Sequence, residues 1–261
     1  MEVRGHPRRR TFPLPAWLAA LLAFSWGAAS AAADSIIVEL EIDGAIGVAT
    51  SDYLISGIDH AEAIDAELII LNMDTPGGLM KPMREIVQRI LASTVPVAAY
   101  VTPAGARADS AGTYILLASH IAAMTPTTHL GAATPVPLLD GAPGGEGEED
   151  SEAPAADRKI MNDAISYIRS LAERHGRNAD WAESAVTEAA TLTAAEALEQ
   201  DVIEFIASDR AELLERLNGY EVEIAGESRS LATEEASVEV FEPDWRIRLL
   251  TVISNPEIVL L

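Results

Sequence analysis

A serine hydroxyl attacks a carbonyl only when a neighbouring base takes its proton and backbone N–H groups receive the oxyanion that forms. Two short stretches hold residues of the right types. In "GARADSAGTY" (105–114), Ser110 stands between two apolar runs, "VPVAAYV" (95–101) and "YILLASH" (114–120), where an extended segment gives way to a helix. One reading is a plain N-cap, the hydroxyl accepting from the first free N–H groups. The other is a nucleophile, its Oγ at the positive helix end with the Ala111 N–H beside it as an oxyanion donor. A cap alone does not require the small neighbours on both sides, which let another molecule's backbone come close. In "DTPGG" (74–78), Gly77 and Gly78 follow another apolar run, and glycines allow N–H groups to face a ligand at short range. Alone, the pair reads as an ordinary turn; beside Ser110 it reads as a further part of the oxyanion hole, with Thr75, Pro76 and Leu79 expected to touch substrate.

The base is sought among few residues. Of 18 basic residues only Lys81 and Lys159 are lysines. Genome base composition can produce that bias, but arginine does not give up its proton, so a lysine kept against the bias is a candidate base. Lys159 falls in the first turn of an expected helix, where the dipole opposes a positive charge, and burial between apolar neighbours would further favour the neutral amine. The competing reading is a solvated lysine paired with Asp163, four positions on. Lys81, beside Pro82 at an exposed helix start, reads as a surface residue. His120 ends the helix that Ser110 begins, about 15 Å along its axis, and cannot reach back. His129, in a Thr-rich loop, stays open on spacing alone. There are no cysteines, which excludes thiolate chemistry and disulfides, and the five histidines lack an HExxH spacing; neither a metal nor a cofactor is expected.

These residues need a scaffold. "SIIVELEIDG" (35–44) reads as a strand, followed by a helix with Tyr53, Leu54, Ile58 and Ala61 on one face. "ELIILNM" (67–73) is a continuous apolar run, as in a strand buried on both sides. Met83, Ile86, Val87, Ile90 and Leu91 recur at helical spacing, then come the strand at 95–101, the helix from Ser110 and a short strand near "IAAMTP". This alternation predicts an α/β fold with helices covering a mostly parallel sheet. Residues 138–157, rich in Gly, Pro and acid, read as a flexible loop. Asp157 would cap the next helix, whose apolar stripe is Ile160, Ala164, Ile168, Leu171, Ala172 and His175, with Gly176 ending it. Two short helices and a strand follow, then a capped helix at "DRAELLERLNG" and hairpin strands to about Phe241.

The ends read as an address. Arg4, Arg8, Arg9 and Arg10 precede an apolar stretch from about Leu14 to Ala29, with small residues at Ala31 and Ala33. That is the pattern of an export signal over 1–33, cleaved before Asp34, or of an uncleaved anchor. The protein domain would then span 34–241, outside the cytoplasm. Residues 242–261 join Trp245 and two arginines to an apolar run and read as a membrane-proximal segment at the start of a further membrane region; the competing reading is an amphipathic helix packed on the domain. The hydrophobic content of 49% is ample for a core, and the net charge of −23 argues against nucleic acid as a partner.

Three stretches, "DTPGGLMKPM", "PAGARADSAGTYILLASHIAAMTPTTHLGAATPV" and "RKIMNDAISYIRSLAERHGRNADWAESAV", resemble in the same order the N-terminal protease domain of the NfeD-type membrane-bound serine proteases. These are relatives of the Clp protease within the crotonase-like superfamily. The resemblance runs from about Ser35 to Ala207. It implies a spiral of ββα units, a Ser–Lys dyad, a homodimer, and a peptidase cutting apolar segments, notably the hydrophobic tail of a stomatin-like membrane protein. By position Ser110 matches the nucleophile, Lys159 the general base and the TPGG glycines an oxyanion donor. Ala133 falls where Clp protease holds its catalytic histidine. The sequence departs from the family in three places. Asp109 stands where a small neutral residue is usual, Lys81 is outside the pattern, and Gln200–Asp201 replaces a turn glycine. Relatives continue into transmembrane helices and a small β-barrel domain.

The resulting expectation is an exported Ser–Lys endopeptidase at the membrane. The alternatives are a signal-peptide-peptidase-type Ser–Lys protease, disfavoured by the spacing of serine and lysine, and an acyl-CoA enzyme of the crotonase type, disfavoured by the export signal. A catalytically idle scaffold for stomatin-like proteins is the non-enzymatic reading.

Overall fold

The computed structural model describes Met1, residues 35–136 and residues 155–243. The expected export signal, nearly all of the expected acidic loop and residues 244–261 of the expected membrane-proximal segment lie outside the described residues. In chain order the elements are β1 (Ile36–Asp43), α1 (Val48–Ala63), β2 (Leu68–Asp74), α2 (Met80–Leu91), β3 (Val97–Val101), β4 (Arg107–Asp109), α3 (Ala111–Ala118), β5 (Ile121–Met124) and β6 (His129–Gly131). After the undescribed stretch come α4 (Ala155–Arg174), α5 (Ala179–Thr187), β7 (Thr191–Thr193), α6 (Ala194–Glu199), β8 (Phe205–Ile206), α7 (Arg210–Leu217), β9 (Glu221–Ile224), β10 (Glu227–Ser230) and β11 (Ser237–Val240).

The main sheet has the order β11-β1-β2-β3-β5-β8, and every pairing in it is parallel. The continuous apolar character of β2 and β3 follows from burial on both faces. Ile69, Leu71 and Met73 join the larger core with Met83, Ile86 and Val87 of α2 and Ile115 of α3. Leu68 and Ile70, pointing the other way, pack with Leu213 and Leu217 of α7 and with Val222. A smaller sheet, β4-β6-β7, stands apart from the main one, and β4 touches the end of β2 through a bridge between Thr75 and Ala108. This puts the loops after β2 and after β4 side by side.

The structure corrects three expectations. The last strands are not one hairpin series: β9 and β10 pair antiparallel across Ala225 and Gly226, both at positive φ, but β11 runs parallel to β1 at the sheet edge. A two-residue turn is a local signal, whereas the partner of β11 lies at the other end of the domain in sequence. Helix α4 begins at Ala155, so the end of the expected loop is helical and Asp157 sits inside the first turn rather than capping it. Ala164, Ile168, Leu171 and Ala172 bury the expected stripe, but Ile160 is exposed, because the face turned to the core begins with Met161, one position later. Among the described residues no helix is long and apolar enough to cross a membrane.

Candidate active site

Ser110 links β4 to α3 in a conformation that side chains rarely adopt, φ 52° and ψ −117°. Such backbone costs on the order of 1–3 kcal/mol and persists only where its surroundings over-determine it. Those surroundings are hydrogen bonds. Ser110 N donates to Gly131 O at 2.8 Å and Thr113 N donates to Ser110 O at 3.0 Å. The Thr113 hydroxyl, fully buried, directs its proton between Ala108 O at 2.8 Å and Gly131 O at 2.9 Å and accepts from Gly131 N at 3.1 Å. Thr113 thus ties β4, β6 and the turn together. The plain N-cap reading is overturned, since the Ser110 side chain makes no capping bond. The Ala111 N–H is among those a helix start leaves without an intrahelical acceptor.

The TPGG turn lies directly against this serine. Gly77 has φ +110°, and a Cβ there would stand 2.5 Å from Ser110 Cβ and 3.0 Å from its Oγ. Its N–H, however, donates to Thr75 Oγ1 at 3.0 Å, so Gly77 supplies room rather than the expected oxyanion donor. Thr75, buried, also donates from Oγ1 to Gly77 O at 3.2 Å; it shapes the turn, and its side chain has no exposed surface for the expected substrate contact. Gly78 packs on the backbone of Ile46, where a Cβ would come within 2.1 Å of the carbonyl oxygen. Its neighbours make the bonds to Ile46, Ile46 N to Gly77 O and Leu79 N to Ile46 O, so the alternation of extended backbone turns the Gly78 N–H the other way. Pro76 and Leu79 are exposed beside the turn.

Lys159 does not stand in the dry setting the sequence suggests. It is exposed on the first turns of α4, and no hydrogen bond among the described residues joins it to Ser110. Nor does it pair with Asp163, whose carboxylate accepts from Arg84 Nη2. It does share an end of the molecule with the serine. Helices α3 and α4 run in the same sense, Tyr114 stacking on Tyr167 at 6.0 Å between centroids and, further along both, His175 Nε2 lying 3.2 Å from Ala118 O. Lys81 is 88% exposed and 3.8 Å from Glu85, the surface residue expected.

The histidines divide. His120 Nδ1 accepts from Val97 N at 3.1 Å at the far end of α3, and burial, with the charges of Arg174 and Arg177, pushes its imidazole down to about 4. His129, on β6, faces Asp109 instead of Ser110, Nε2 to Oδ2 at 3.5 Å, with Arg107 3.6 Å from the same oxygen. Burial pushes the Asp109 carboxyl up from its ordinary value, against the pull of His129 and Arg107; its Oδ1 is buried with no hydrogen-bond partner among the described residues. Ala133 is buried, its N donating to Ala185 O at 2.7 Å. No group of residues that could hold a metal occurs among the described residues. Sequence reasoning missed Thr113 and Arg84. The spacing Ser110-x-x-Thr113 looks like the start of any helix, and Arg84 is one arginine among many.

The model of the family described as "NfeD1b, N-terminal domain" matches residues 36–227. The chain is 41% identical over 233 residues to the membrane-bound protease PH1510 of Pyrococcus horikoshii, covering 88% of this chain and 51% of that protein. It is 31% identical over 132 residues to the membrane protein NfeD1b of Bacillus subtilis, covering 51% of this chain and 26% of that protein. The chain therefore spans about half the length of the first relative and about a quarter of the second. Among solved structures, the 1510-N membrane protease specific for a stomatin homolog from P. horikoshii matches with a TM-score of 0.71 at 37% identity, over 85% of this chain and all of that one. A lysine-to-alanine mutant of 1510-N in complex with a substrate peptide matches with a TM-score of 0.74 at 40% identity, over 85% of this chain and 98% of that one. The strained serine turn, the facing glycine loop and the parallel sheet that carries them thus sit in a chain that belongs to the NfeD1b N-terminal domain family.

Proposed function

We propose that the chain is the protease domain of a membrane-associated serine endopeptidase acting on extended apolar peptide, with a stomatin-like membrane protein as partner and substrate. Ser110 Oγ attacks the scissile carbonyl. The amine of Lys159 takes its proton, and the N–H groups of Ala111 and Gly78 receive the oxyanion at the positive end of α3. Collapse of the tetrahedral intermediate expels the amine product, which takes that proton from Lys159, and water then releases the acyl group by the same steps. Because Lys159 is exposed here, its role requires the first turns of α4 to close over a bound peptide. In this reading the domain lies on the extracytoplasmic side as a homodimer, and Pro76 and Leu79 border the peptide.

The observation that carries the proposal is the Ser110 turn, held at φ 52° with a glycine loop packed on its Cβ. A cap needs neither feature, while strain of this kind clusters at reacting serines. The relatives support the substrate class, PH1510 being a membrane-bound protease and 1510-N a protease specific for a stomatin homolog. The test is hydrolysis of an internally quenched peptide with an apolar centre by the full chain. Ser110→Ala and Lys159→Ala each lose about 10³-fold or more in kcat/KM, and Lys81→Ala keeps the wild-type rate. Full activity in either of the first two variants removes the dyad. The exposure of Lys159 favours one second reading, an idle scaffold; it prevails if a fluorophosphonate fails to label Ser110 in the folded chain.

A further inference from the structure

Two helices start at the candidate site, and a third packs beside them. Helix α2 follows the TPGG turn, α3 follows Ser110, and α4 carries Lys159 near its start. About one turn into α2 and α3, and one to two turns beyond Lys159 on α4, the helices are joined by a single cluster of side chains. Arg84 of α2 donates to Asp163 of α4 at 2.5 Å, and its guanidinium lies 4.3 Å from the centre of the Tyr167 ring. Tyr167 in turn stacks on Tyr114 of α3. Arg84 and Asp163 are 33% and 66% exposed, while Tyr114 is buried, so the cluster runs from surface to core.

We propose that Arg84 is a positioning residue for the reaction: by holding Asp163 and covering Tyr167 it fixes where the first turns of α4, and Lys159 with them, stand relative to Ser110, and it keeps Asp163 from pairing with Lys159. The inference rests on the reading of Ser110 and Lys159 as nucleophile and base. Asp163 lies four residues after Lys159, the spacing at which side chains meet on a helix. A carboxylate there would hold the amine as an ammonium, and a base must be neutral to act. With Arg84 bonded to its Oδ2, that carboxylate has a guanidinium partner in place of the amine. The other charged groups on these turns are Asp157 and Arg158 of α4 and Lys81 and Glu85 of α2, the last two paired with each other.

The experiment measures fluorophosphonate labelling of Ser110 and hydrolysis of the quenched peptide by the full chain between pH 6 and 10. Arg84→Met, which keeps the aliphatic stem, slows both at least tenfold near pH 7.5, and the deficit shrinks as pH rises. Arg84→Lys recovers part of the rate. Asp163→Asn breaks the clasp without freeing a carboxylate, so it slows hydrolysis with no alkaline shift. In a Lys159→Ala background, Arg84→Met leaves the residual labelling rate where it was. A wild-type rate in Arg84→Met overturns the proposal, and so does an equal further loss in the Lys159→Ala background, which would mark Arg84 as general scaffolding. Should Arg84→Met fail to fold, the presence or absence of a rate deficit in Asp163→Asn decides in the same way. Full activity in Lys159→Ala itself would instead remove the dyad, a different failure.

Discussion

At the scale of single residues, Gly77 separates strain from contact. Alanine there must accept φ +110° and also place a methyl 2.5 Å from Ser110 Cβ, so the serine or the loop has to move. Gly105 offers the comparison: φ is +88° but nothing lies within 4 Å of its missing Cβ. Both alanine variants lose about 1–3 kcal/mol in chemical denaturation. Only Gly77→Ala loses fluorophosphonate labelling as well, by about 100-fold or more, because only it displaces the reacting hydroxyl. Ser110 and the glycine pair were legible in the sequence, since small residues around a strand-to-helix serine are unusual. The division of labour between the glycines was not. That Gly77 yields its N–H to Thr75 while Gly78 rests on Ile46 depends on the segment between β1 and α1, distant in the chain. The setting of Lys159 was illegible for a similar reason, because apolar neighbours in sequence do not say whether a helix end stands against the core or beyond it.

At the scale of elements, the helices that share the site also share a buried end. Arg177, 1% exposed, donates from Nη1 to the carbonyls of Leu116, Leu117 and Ser119 at the end of α3 and pairs with Glu204. Against it lie His120 and His175, their rings 5.7 Å apart. Burial first, then the neighbouring arginines, push His120 down to about 4 and His175 down to about 3. The sign follows from proton counts. Above about 6.5 neither the folded nor the unfolded chain protonates these rings, and the fold keeps its full stability. Below it the unfolded chain binds protons that the folded chain refuses, so stability falls as pH drops from about 6.5 toward 4 and, for His175, toward 3. The loss is on the order of 3 kcal/mol for His120 alone. Thermal melts at pH 7.5 and pH 4.5 test this. The wild-type melting temperature drops between them, and in His120→Gln/His175→Gln the drop shrinks; an unchanged drop would assign it to other groups. The pattern of α4 foretold the burial of His175 on its stripe, but the partner arginine belongs to the loop after it and carried no signal.

At the scale of the whole molecule, most strands were legible but their order was not. Apolar runs identified β2, β3 and β5, alternating character identified β1, and the succession of strands and helices gave their parallel sense. The edge was not legible, and the edge is β11. It joins β1 through the pairs Ile36–Ser237 to Glu39–Val240, and the family match stops at residue 227, before it begins. What fixes it is α1. Phe241 stacks on Tyr53 at 5.9 Å and on His60 at 5.1 Å, its carbonyl accepts from Tyr53 OH at 2.8 Å, and His60 pairs with Glu239 at 2.7 Å. Gly57 makes the fit possible, as a Cβ there would meet Leu40 at 2.4 Å and Phe241 at 3.1 Å. A chain ending at Ala236 would bare the backbone edge of β1 and the apolar surface beneath Phe241, an open template for pairing with another copy. Such a chain is expected to melt several degrees below one ending at Pro243 and to elute as larger species in gel filtration, even though every residue of the candidate site is present in both. Equal melting temperatures and elution would mean that β11 is an appendage, and that the sheet is already complete at β1.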